Sequence, residues 1–90
     1  MEQVLNIPIQ MISCCSTVGD MQPLRFRFEN EEHELITIQV DRVLAHNDTV
    51  FNGIKEIHYV CQATVDDRIF LFILKYNISS HKWIMFKRLT

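Results

Sequence analysis

Residues 23–41 read Pro23-Leu24-Arg25-Phe26-Arg27-Phe28-Glu29-Asn30-Glu31-Glu32-His33-Glu34-Leu35-Ile36-Thr37-Ile38-Gln39-Val40-Asp41, and they decide the fold. Leu24, Phe26 and Phe28 alternate with Arg25, Arg27 and Glu29. Ile36, Ile38 and Val40 alternate in turn with Thr37, Gln39 and Asp41. Period two is the signature of a strand with one face buried, and β-branched and aromatic residues favour that state. The polar joint at Asn30-Glu31-Glu32 makes the pair a hairpin. Beyond Asp41 the parity slips, because Val40 and Val43 stand three apart, which predicts a bulge or an end to regular pairing near Arg42.

The same periodicity extends outward. Val4 to Ser13 reads as a strand with Ile7, Ile9 and Met11 on one face. Pro8 has no ladder donor, so the strand lies at an edge or starts there. Residues 16–22 are its exit loop. Residues 45–53 form the longest polar interruption, and Asn52-Gly53 is a turn signal. Ile57, Tyr59, Cys61 and Ala63 alternate with His58, Gln62 and Thr64. Helical spacing also fits Ile54, Ile57 and Cys61, but Tyr59, Val60, Thr64 and Val65 favour a strand. Asp66-Asp67 is a turn, and Ile69 to Tyr76 is apolar on both faces. Residues 77–81 turn again before a last strand from Trp83 to Leu89. The expected fold is all-β: a small antiparallel barrel or strongly coiled sheet of about six strands, of SH3-like size. A strand apolar on both faces must lie centrally, with a crossing loop, the first strand or a second copy against its outer side.

Ninety residues, 48% of them apolar with two Gly and two Pro, make one folded domain over 1–90. Cys14, Cys15 and Cys61 are an odd number for a disulfide framework, so Cys15 and Cys61 are expected as core thiols in a reducing compartment. The start carries Glu2 where a secretory signal would carry bases, and the longest apolar run, Ile69 to Leu74, is far too short to span a membrane. The expected location is cytoplasmic. Asn47-Asp48-Thr49 and Asn77-Ile78-Ser79 match the glycosylation pattern, which has no use in that compartment.

No catalytic signature is present. The cysteines, serines and histidines lie outside any nucleophile motif. His33, His46, His58 and His81 fall in four segments without ligand spacing, and Gly19 and Gly53 are too few and too far apart to cradle phosphate. Glu31, Glu32 and Glu34, with Asp66 and Asp67, read as solvated hairpin ends that discourage aggregation.

The net charge of −2 hides a division. All eleven acids lie at or before Asp67 with four of the nine bases, so residues 1–67 sum to −7 and residues 68–90 to +5. The candidate binding surface is therefore Arg25 and Arg27 with Lys75, Lys82, Lys87 and Arg88. Such a surface, interleaved with Tyr76, Trp83 and Phe86, could hold single-stranded nucleic acid. The competing reading puts Trp83 and Phe86 in the core and pairs the cations with acids on neighbouring strands.

From Pro23 onward, about three quarters of the chain resembles a family of small uncharacterised bacterial β domains. The residues that carry the resemblance are Pro23, Arg25-Phe26-x-Phe28, Ile36 to Val40, Tyr59, Leu71 to Tyr76, and Trp83 with Arg88. The family's middle loop is aromatic, whereas this chain has only Phe51 there. The resemblance implies a small β fold. Through relatives that stand beside or are fused to DNA-damage polymerase-like proteins, it also implies an accessory role near nucleic acid. The functional expectation is a non-catalytic binding or accessory module with a protein partner and no cofactor, metal or membrane. A nucleic-acid accessory domain and a structural homo-oligomer, such as a homodimer, are the alternatives.

Overall fold

The computed structural model describes residues 2–90 as six strands without a helix. They are β1 (Gln3–Cys15), β2 (Met21–Glu29), β3 (Leu35–Phe51), β4 (Ile54–Val65), β5 (Arg68–Asn77) and β6 (Lys82–Arg88). Each runs antiparallel to the next, and β6 returns to β1, which closes an up-and-down barrel. The all-β antiparallel expectation holds. The stretch that also fitted a helix is strand, since β4 pairs with β5 without interruption from Glu56↔Asn77 to Val65↔Arg68.

Two long strands close the barrel by changing partners midway. β1 pairs with β6 through Gln3–Ile9 and with β2 through Gln10–Cys15. β3 pairs with β2 through Leu35–Gln39 and with β4 through Val40–Phe51. The partner change in β3 falls where the alternation slips: Asp41 and Leu44 are skipped in the register with β4, two bulges that raise the local twist. At Pro8, β1 is bonded to β6 alone, the edge setting that a residue without an N–H requires.

Three sequence readings are corrected. Residues 45–51 are not a loop but the far half of β3, and only Asn52-Gly53 turns. Their φ values of 51° and 78° are both positive, as a type I′ hairpin turn demands. The polar side chains of that half-strand hid it, because a ribbon flanked on one side has no core face to show. Leu24 is not on the core face: a bulge leaves it unpaired between Arg25↔Ile12 and Pro23↔Ser13, so Pro23 is buried and Leu24 is 41% exposed. Cys15 is exposed with Cys14, because β1 ends flanked by β2 alone, and Cys61 is the only cysteine in the core.

The core is a single cluster. Phe26 meets Phe72 edge-on at 6.3 Å, and Trp83 lies between Tyr76 at 4.8 Å and Tyr59 at 5.4 Å. Each such ring pair stabilises by about 0.5–1.5 kcal/mol beyond its burial. Leu74, Cys61 and Ala63 fill the space between the rings. The outer side of β5 (Ile69, Leu71, Ile73) has Thr64, Gln62 and Val60 of β4 as cross-strand neighbours.

Candidate binding surface across the first strand

The partner change in β1 opens the barrel wall. Past Ile9↔Trp83 the ladder to β6 stops, while β1 continues beside β2. A cleft of about 730 Å³ lies in the divergence, lined along β1 by Ile9, Gln10, Met11 and Ser13, and across from it by Tyr76, His81, Lys82 and Trp83. Because it is a slit in the wall, it shows inward residues such as Met11 and Trp83 beside outward ones such as Gln10 and Lys82. On the other side of β1 a second recess of about 480 Å³ is lined by Gln10, Met11, Ile12, Arg25, Arg27 and Thr37. The two recesses share Gln10 and Met11.

The floor of the cleft is held in place. The Tyr76 hydroxyl and His81 Nδ1 lie 2.8 Å apart, and His81 has φ 60° at the end of the β5–β6 turn. That turn is braced by the Asn77 side-chain oxygen, which accepts from the N–H groups of Ser79 and Ser80 at 3.0 Å each. Lys82 follows directly and is exposed.

The six cations expected to form one surface are divided among three places. Arg25 and Arg27 are exposed on the outside of β2, where the Arg27 Nε–H donates to Gln10 Oε1 of β1. Lys82 stands across the cleft from Gln10, so these three cations bracket the same piece of β1. Lys75 and Lys87 lie elsewhere, over Phe86, with ammonium-to-ring distances of 3.5 and 5.1 Å. Lys87 also bonds Glu2 at 2.9 Å, and this hydrogen bond and charge hold the Glu2 carboxyl below its ordinary value. Arg88 turns to Phe70, 5.5 Å from the ring centroid, with its Nε buried and unbonded.

The pairing of cations with cross-strand acids is realised once. Among the described residues, Lys87 alone of the nine lysines and arginines forms an ion pair. Trp83 does fill the core, at 7% exposure, but Phe86 does not. Phe86 is the extra residue of β6, unpaired between Lys87↔Ile73 and Met85↔Leu74, and it lies outside beneath Lys75. A bulge of this kind has no local sequence signal, nor has the cleft, since Gln10, Met11, Tyr76 and Trp83 meet only when the barrel closes.

Among the described residues no group of three His, Cys, Asp or Glu side chains is placed to hold a metal, and neither recess includes His58, Tyr59 or a cysteine. No helix there is long and apolar enough to cross a membrane. No family model, curated protein or solved structure matches the chain.

Proposed function

We propose that this protein is a non-catalytic binding module that holds part of another protein against the surface crossed by β1. Arg25, Arg27 and Lys82 are its charged contacts. The observation that carries the reading is their lack of carboxylate partners on either side of a strand segment opened by a cleft. Unpaired surface cations steer a partner of opposite charge and set the on-rate of its encounter. Lys75, Lys87 and Arg88 are engaged with Phe86, Glu2 and Phe70, and they fall outside the proposed contact.

Single-stranded nucleic acid is the weaker reading. Its affinity would come from ring faces standing open for bases to stack on. Tyr59, however, is buried, and Tyr76 and Trp83 show 7% of their surface each as walls of the cleft. Phe86 is covered by Lys75, and the exposed Phe51 lines neither recess. The test compares the wild-type chain with an Arg25→Glu/Arg27→Glu/Lys82→Glu variant in cross-linking from cell extract, with an oligonucleotide titration at two salt concentrations alongside. Protein adducts present with the wild type and absent with the variant are expected. Identical adducts for both, or binding to the oligonucleotide that falls steeply with salt, would set the proposal aside.

A further inference from the structure

We infer that the partner binds as an added β-strand along Gln10–Cys15, and that the added strand is acidic; this rests on the binding surface proposed above. In a strand, every second residue turns its N–H and C=O to the same side. From Gln10 to Cys15 one side is bonded to β2 and the other has no strand partner among the described residues; from Gln10 to Ser13 that bare side faces the cleft. A bare edge is a template for another strand, and proteins commonly blunt it with charge, proline or burial. Gln10-Met11-Ile12-Ser13-Cys14-Cys15 contains neither a charge nor a proline. The far half of β3 is also bonded on one side only, but it carries Asp48, is twisted by its two bulges and has no recess along it.

Strand addition draws affinity from the main chain and selectivity from pockets that take alternate side chains. The cleft supplies such a pocket: Met11, Met21, Tyr76 and Trp83 would face the inward residues of an added strand. Outward residues would lie between Lys82 on one side and Arg27 on the other. No residue lining either recess is acidic. The fitting segment is therefore five or six extended residues, with Asp or Glu alternating with apolar side chains. Six residues of strand span roughly 20 Å. A second copy of this chain is a poor occupant, because two-fold pairing of the β1 edges brings the same cations against each other.

The test is selection of a displayed library of random peptides on the whole chain, with Trp83, the sole tryptophan, as the fluorescent reporter. Selected peptides are expected to alternate acidic and apolar residues, to shift Trp83 emission and to slow amide exchange within Gln10–Cys15. Methylating the peptide nitrogens along one edge should abolish binding. Lys82→Glu/Arg27→Glu should weaken it by at least about tenfold. Peptides that tolerate methylation on either edge, yet still lose affinity in the charge variant, would overturn strand addition and leave the surface standing. Peptides indifferent to the charge variant, or none selected, would overturn both. Protection of β1 amides in a dimer without peptide would make the occupant a second copy and overturn the inference.

Discussion

The Tyr59 hydroxyl donates to the Met21 carbonyl oxygen at 2.9 Å, joining β4 to the first residue of β2 across a strand that neither shares with the other at that level. β3 has already left β2 for β4 there, so the two halves of the barrel are held at this point by a side chain. Met21 also lines the cleft.

Tyr59→Phe keeps the ring against Trp83 and removes only this bond. A loss of about 1 kcal/mol is expected in urea denaturation, the usual worth of one hydrogen bond. A loss indistinguishable from zero would mean that the bond does not brace the two halves.

Leu74 has no exposed surface and sits between the ring groups of the core. Leu74→Ala should cost about 2–5 kcal/mol, a large share of the roughly 5–15 kcal/mol typical of a domain. The denaturant midpoint reads this directly, and a loss below about 1 kcal/mol would contradict the packing described.

Burial pushes the Cys61 thiol up from 9.0 to about 12. The unfolded chain releases this proton above pH 9, while the folded chain keeps it until about pH 12, so the unfolded state binds fewer protons across that window. Stability from this group is intact below pH 9 and falls as pH rises toward 12, by at most about 1.4 kcal/mol per pH unit. Burial also raises the Tyr59 phenol, which adds to the loss at the alkaline end. Cys61→Ala should flatten the decline. In the native protein a thiol reagent at pH 8 should label Cys14 and Cys15 and spare Cys61 until the chain unfolds.

Two hairpin turns require positive φ at both central residues, and they are filled differently. Gly53 adopts φ 78° at no steric cost, so Gly53→Ala should destabilise by about 1–2 kcal/mol although a Cβ there meets nothing within 4 Å. Asp67 holds φ 63° against its Cβ, and Asp67→Gly should stabilise by about 1 kcal/mol. Thermal melting of the two variants should move in opposite directions.

Arg25, Arg27 and Lys82 project from outward positions and pair with no acid. Reversing all three should leave the melting temperature within a few degrees of wild type, as for surface changes generally. Binding loss in the variant could then be assigned to the surface itself.

The strands were legible because burial imposes period two wherever one face of a strand meets the core. Phe26 with Ile38, and Tyr59 with Cys61 and Ala63, declare themselves on that ground. So does the slip at Asp41, since a bulge shifts the parity of everything after it. The far half of β3 was illegible for the converse reason: Asn47, Asp48 and Thr49 belong to a ribbon whose faces are both wet. The exposure of Leu24 and Phe86 depends on which opposing residue is skipped, a matter of register between strands. The chain by itself thus determined the antiparallel strands and, away from the bulges and the ends flanked on one side only, their core faces, through a local rule that each strand obeys alone. Whether β1 keeps one partner or changes it at Gln10, and so whether Lys82 stands opposite Arg27 across an open edge, was decided only when β6 met β1 and closed the barrel.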